Sequence, residues 1–174
     1  MRPGGDLRDG EARTAVADLL RHARESIPAV EARILLCHAA GLSHATVAAH
    51  PEQSIEQEIR SRFEAWVRRR CAGEPVAYIV EQREFYGRTF RVTPDVLIPR
   101  PETELLVGLA LDRLKTASPP ARVLDLGAGC GAIAITLALE APTAEVSAVE
   151  FAPAALALAR ENALRLGARV EFVR

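Results

Sequence analysis

The 174-residue sequence predicts a mixed α/β chain: a small helical domain, a β-hairpin linker, and the first half of a doubly wound parallel sheet. Three observations predict it. Apolar residues recur at spacings of three and four up to Cys71, and β-branched and aromatic residues then cluster on both sides of Gly87. From Val123 onward, apolar runs alternate with helical stretches, and a glycine loop, VLDLGAGCG over 123–131, joins the first such pair. Strands separated by helices run parallel, with right-handed crossovers.

Composition narrows the function classes. An apolar fraction of 49% supports ordinary globular cores, and 22 basic against 23 acidic side chains leave a formal charge of −1. No overall field recruits nucleic acid or an anionic membrane, so nucleic-acid binding would need a local basic face. Cys37, Cys71 and Cys130 are odd in number, far apart and without a C-x-x-C pair, which argues against a disulfide framework and a thiolate metal site. His22, His38, His44 and His50 form no H-x-x-x-H pair, so no metal is expected. The first residues, MRPGGDLRDGEAR, lack an apolar core of signal-peptide length, and no run reaches membrane-spanning length. The expectation is a cytoplasmic protein without a membrane anchor.

The elements follow in order. After the loop GGDLRDG, the residues Ala12, Ala15, Val16, Leu19, Leu20 and Ala23 make one apolar stripe and predict a first amphipathic helix. A second spans 28–40, with Pro28 in its first turn and Gly41 just past its end, and a short third covers 43–50. Ser54 and Gln57 read as a capping box ahead of a fourth, striped by Ile55, Ile59, Phe63, Trp66 and Val67 and ended by Gly73. Arg68, Arg69 and Arg70 fall in its last turn, where cations complement the helix dipole. Tyr78-Ile79-Val80, Glu84-Phe85-Tyr86 and 89–92 then predict strands of a hairpin around Gly87. Pro94, Pro99 and Pro101 keep the chain extended until Glu102, Thr103 and Glu104 open a helix carrying Leu105, Leu106, Leu109 and Leu114. Strands at 123–126, 146–149 and 170–173, with helices at 131–141 and 153–166, complete the chain. The domain boundaries expected are 1–73, 74–101 and 102–174.

The glycine loop carries the chemistry. Gly127, Gly129 and Gly131 permit a sharp turn and close approach of a ligand to the backbone, and Glu150 stands 19 positions after Gly131, at the end of the second strand. A carboxylate there can accept two hydrogen bonds from a ribose diol. Gly127, Gly129 and Ala132 also satisfy the looser G-x-G-x-x-A dinucleotide pattern, so a nicotinamide-dependent oxidoreductase stays open as a rival. Charge favours the other ligand. Asp125, two residues before the first glycine, would attract the ammonium and sulfonium of S-adenosylmethionine and repel a pyrophosphate. At an effective dielectric near 20, unit charges ~6 Å apart interact by roughly 2–3 kcal/mol. Asp125 could instead only cap the neighbouring helix.

With these residues in view, the chain resembles the bacterial peptide chain release factor glutamine methyltransferase family. The likeness covers the helical N-terminal part, the linker GEPVAYIVEQREFYGRTFRVTPDVLIPRPETELLV over 73–107, and DLGAGCGAIAI over 125–135. Glu81 stands where the family's hairpin has a glycine, and Cys130 where serine or threonine is commoner. The resemblance implies a helical substrate-recognition domain followed by a class I, Rossmann-like methyltransferase sheet. It implies S-adenosyl-L-methionine held by Asp125, Gly127, Ala128, Gly129, Cys130, Gly131 and Glu150, and a class I release factor, through its Gly-Gly-Gln loop, as substrate and partner. Arg100, Glu102 and Thr103 would line the place where cofactor and peptide meet, or would only start a helix.

Members of the family carry an asparagine-proline-proline-tyrosine motif after the fourth strand, and these 174 residues contain none. A glutamine amide nitrogen is a poor nucleophile, and that motif aligns it and accepts its hydrogens. No catalytic residue is therefore expected here, and the chain reads as C-terminally truncated, with an unpaired strand edge and uncovered apolar helix faces. Methylation of adenine in a nucleic acid, and a non-catalytic module that binds a release factor, remain competing readings.

Overall fold

In the computed structural model, which describes residues 14–174, the chain divides into two compact units after Val80. The first is helical: α1 (Val16–Ala23), α2 (Ala29–Ala40), α3 (His44–Ala49), α4 (Gln57–Cys71) and a single turn, α5 (Val76–Ile79). A short antiparallel pair, β1 (Thr14–Ala15) with β2 (Ser54–Ile55), closes it. Val16, Leu19, Leu20 and Ala23, the stripe expected of α1, are buried with Leu35, Leu36 and Phe63. Pro28 caps α2, and Gly41 ends it in the left-handed conformation, its N–H donating to the Cys37 carbonyl.

Three expectations change in this unit, and a fourth rests on residues outside those described. The predicted first turn of α1, around Ala12, lies outside the described residues. Ala15 belongs to β1, opposite Ser54. The capping box does not form: Ser54 is in a strand, and Glu56 is the N-cap of α4 with no side-chain cap. Ile55 buries its side chain from that extended pair instead of from a helical turn. Tyr78-Ile79-Val80 is not a strand, because Val76 and Ile79, three apart, meet the helical core from one face of α5. The arginine run does end α4, as expected, and two of its members find partners. Arg70 clamps Glu31 of α2 at 2.7 and 3.2 Å, and Arg69 pairs with Glu74.

The second unit begins with the hairpin β3 (Gln82–Phe85) and β4 (Arg88–Arg91), with Phe85 opposite Arg88. Tyr86 and Gly87 both take positive φ, 51° and 69°, as a two-residue turn matched to strand twist requires. A tyrosine resists that conformation. Here its N–H is held at 2.9 Å by the Glu104 carboxylate, so the REFYG and RPETE segments are joined. Glu81 takes φ 54°, the backbone state that glycine favours, and its carboxylate pairs with Arg91 at 2.9 Å. The hairpin turn thus survives the substitution. Phe85 and Phe90 meet edge to face at 6.1 Å beneath it.

Then follow α6 (Thr103–Thr116), β5 (Arg122–Leu126), α7 (Ala132–Glu140), β6 (Glu145–Val149), α8 (Pro153–Leu166) and β7 (Glu171–Val173). The sheet is parallel in the order β5-β6-β7, with Asp125 beside Ala148 and Leu126 beside Val149. Helix α7 packs on β5 and β6, and α8 packs on α7 and β4. Val146 and Ala148 are buried, whereas Leu124 and Leu126 on the opposite face are 59% and 73% exposed. On α6, Val107 is buried and Leu105, Leu106 and Leu109 are exposed. Two leucines of one sheet face and one apolar helix stripe thus lie open to water.

Candidate cofactor site

The end of β5 turns directly into the glycine loop because three of its residues adopt φ values closed to most side chains: 82° at Gly127, 56° at Gly129 and 83° at Gly131. Gly131 is needed twice over. A Cβ there would lie 2.7 Å from Ile135 Cδ1 and 3.3 Å from Ala159 Cβ, so its absence lets α7 start against α8. Beside Gly127 and Gly129 a Cβ would meet nothing within 4 Å, which leaves their backbone open to a ligand. The Gly127 and Ala128 N–H groups donate to the Val149 carbonyl at 2.9 and 3.0 Å, tying the loop to the end of β6.

Glu150 completes the corner. One carboxylate oxygen accepts from the Gly129 N–H and the other from the Ala152 N–H, both at 2.9 Å. The Ala152 bond first, and the Gly129 bond second, hold its pKa below the usual glutamate range. Each oxygen retains a lone pair for a further donor such as a sugar hydroxyl.

Asp125 accepts from the Ala134 N–H at 3.2 Å, in the first turn of α7, so it does cap that helix. Burial pushes its pKa up, against the pull of that bond, and the charge of Glu150 pushes the same way. Two carboxylates therefore share one end of the sheet, an arrangement that a bound cation would relieve and a pyrophosphate would aggravate.

The sequence-predicted residues divide into three groups. Asp125, Gly127, Ala128, Gly129, Gly131 and Glu150 are joined through hydrogen bonds into one loop and its buttress. Cys130 turns its side chain into the interior, where it is 3% exposed and burial pushes its thiol up to about 11, so only its backbone serves the loop. Arg100, Glu102 and Thr103 sit at the start of α6; the Arg100 carbonyl accepts from the Thr103 N–H, and both Arg100 and Glu102 are exposed. Among the described residues no hydrogen bond connects these three to the glycine loop.

Sequence reasoning overlooked two residues, Glu104, which seats the hairpin turn, and Asn162, which is fully buried and bonded to the Cys130 carbonyl at 3.0 Å. Asn162 had left a signal. It occupies the last place of the apolar stripe Ala155, Leu158, Ala159, where a polar residue must have partners. Glu104 had none, since an acid in a first helical turn is already explained by the dipole.

A cavity of about 1010 Å³ opens at the starts of the strands between Arg122, Glu145, Arg169 and Glu171. It holds mixed charges and lies away from the glycine loop. Among the described residues no cluster of His, Cys, Asp and Glu suits a metal, and no helix is long and apolar enough to cross a membrane.

Comparison with known proteins gives this geometry its relatives. Residues 11–80 match the family described as PrmC N-terminal domain, and residues 103–174 match the methyltransferase small domain. The release factor glutamine methyltransferase of Bordetella pertussis is 50% identical over 157 residues, which is 90% of this chain and 57% of that protein. The protein of the same name from Burkholderia pseudomallei is 49% identical over 150 residues, 86% of this chain and 52% of that one. Among solved structures, a SAM-dependent methyltransferase from Agrobacterium tumefaciens is 25% identical over 53% of this chain and 31% of that chain, with a TM-score of 0.44. The chain spans about half the length of the curated relatives it matches. Over that half, with one match to the PrmC N-terminal domain and a second to the methyltransferase small domain, the chain is similar to the release factor glutamine methyltransferases.

Proposed function

We propose that this chain supplies the S-adenosylmethionine-binding part of a cytoplasmic methyltransferase that modifies the side-chain amide nitrogen of the glutamine in the Gly-Gly-Gln motif of class I peptide chain release factors. The observation that carries the cofactor reading is Glu150, whose carboxylate is held rigid by two backbone amides at the end of β6 and keeps lone pairs for a ribose diol. The open space over Gly127 and Gly129 fits a nucleoside, and the paired negative charge of Asp125 and Glu150 fits a cationic one. When bound, that cofactor supplies an activated methyl on a sulfonium sulfur.

The chain's own residues hold and orient. Glu150 anchors the sugar, the loop amides of 127–131 shape the floor, and Asp125 favours positive charge at the strand end. Cys130, Ala132 and Ala134 close the interior behind them. Within the reading, the helical unit grips the release factor, and Arg100, Glu102 and Thr103 approach the peptide. None of the 174 residues is assigned a catalytic part. The release factor as partner is supported by the names of the curated relatives.

Calorimetric titration of S-adenosylmethionine and, separately, NAD into the folded chain tests the cofactor. The reading expects heat from the first alone, abolished in Glu150→Ala. A folded chain that gives heat only with NAD, or with neither, refutes it. Capture of a class I release factor by the immobilised chain, and its loss when the Gly-Gly-Gln loop is deleted, tests the partner.

A further inference from the structure

Asn162 is 0% exposed, lies on α8 outside the loop, and spends both ends of its amide on backbone from two different places. Its Oδ1 accepts from the Arg91 N–H at 2.8 Å; its Nδ2 donates to the Arg91 carbonyl and to the Cys130 carbonyl, each at 3.0 Å. The Arg165 guanidinium adds a bond to Oδ1 and reaches the Thr89 carbonyl. The pair with Arg91 makes Asn162 the equivalent of a third strand beside β4. Its remaining hydrogen fixes the peptide between Cys130 and Gly131, the one that sets Gly131 into its left-handed turn.

We propose that Asn162 is a positioning residue for the cofactor loop, coupling the seat of the β3–β4 hairpin to the backbone of Cys130–Gly131. The effect on cofactor rests on the function proposed above; the effect on the loop does not. A buried amide that makes every bond it can has one orientation, so the Cys130 carbonyl is held without help from a ligand. Losing Nδ2 frees that carbonyl, and Gly131 with it, while the hydrophobic interior of α8 stays in place. Binding then has to order the loop that Asn162 had ordered in advance.

The test uses the whole chain in three variants: Asn162→Asp, Asn162→Ala and, as a control, Ala163→Gly. Ala163 is buried on the same helix and touches no loop carbonyl by hydrogen bond, so its replacement lowers stability without releasing Cys130. Amide exchange at Gly129 and Gly131 and the Kd for S-adenosylmethionine are read well below the melting temperature of each. Both Asn162 variants are expected to speed exchange at these two amides at least 10-fold and to weaken binding about 10-fold or more. Ala163→Gly should leave both within 2-fold despite its own loss of Tm. Exchange that follows Tm alike in all three variants overturns the proposal, as does unchanged exchange in Asn162→Asp. Should the parent chain bind no S-adenosylmethionine, the cofactor reading fails, and the exchange comparison still decides the role of Asn162.

Discussion

Replacing Gly131 by alanine should damage this protein more than the same change at Gly127, and the structure says by how much. Both residues have φ near 80°, so both substitutions pay the left-handed penalty of an L-residue, about 1–2 kcal/mol. Both also gain the same small offset from a stiffer unfolded chain, up to about 1 kcal/mol. The difference is packing. At Gly127 the new methyl meets nothing within 4 Å, whereas at Gly131 it lies 2.7 Å from Ile135 Cδ1 and 3.3 Å from Ala159 Cβ. Ile135 and Ala159 are both fully buried, so neither yields without moving α7 or α8, and forced overpacking of this kind costs about 1–3 kcal/mol more. At an m-value of about 1.5 kcal/mol/M, that extra cost separates the two urea midpoints by about 0.7–2 M in far-ultraviolet circular dichroism. Adding Ile135→Val, which removes the offending Cδ1, should recover part of the loss in the Gly131→Ala background and only destabilise the parent. Equal midpoints for the Gly127 and Gly131 variants, or no coupling with Ile135→Val, would refute the packing argument.

Three further outcomes follow from the site. In Glu150→Gln the amide must turn its NH₂ toward one of two N–H donors, so stability should fall by about 1–3 kcal/mol and S-adenosylmethionine affinity by about 10-fold; a neutral result in thermal unfolding would show that the two 2.9 Å bonds carry nothing. As pH falls, Asp125 with its raised pKa takes up a proton before Glu150 does: the folded state binds that proton more tightly than the unfolded one, so Tm holds or rises while attraction for a cationic ligand weakens. Only lower, as Glu150 protonates through its depressed pKa, is its stabilisation lost, and a Kd that stays flat while Asp125 titrates by NMR would reject the electrostatic role. Iodoacetamide at pH 8 should label the exposed Cys71 in the native chain and spare Cys130, whose thiol is buried and pushed up to about 11; equal labelling by mass spectrometry would contradict the packing of the loop.

The second unit was the more legible half in the sequence, because parallel strands alternate with helices and each boundary is marked by a glycine or proline. The strand at 123–126, the turn at Gly87 and the end of α8 at Gly167 lie where the pattern puts them, to within a residue. The misreadings fall where pairing overrides local periodicity. Ala15 and Ile55 continue helical stripes in the sequence, yet each is drawn into a two-residue strand by the other's neighbour, a partner about forty residues away. Tyr78-Ile79-Val80 has strand composition but is too short to outweigh burial of Val76 and Ile79 on one helical face. In the candidate site, the place of Glu150 at the end of β6 was readable from spacing, and its two amide bonds were not, since they depend on how the loop folds back over β6. Asp125 showed both of its faces. It caps α7, and its charge still sits at the strand end.

The twin hydrogen bonds of Glu150 carry a consequence for anyone wishing to alter ligand choice. The same carboxylate that the proposed function gives to the sugar also staples Gly129 and Ala152, so recognition and architecture are written in one side chain. Shortening it to aspartate, or swapping it for a cation to welcome a phosphorylated ribose, unfastens the turn in the act of retuning it. Redesign of specificity must begin by giving those two amides new acceptors.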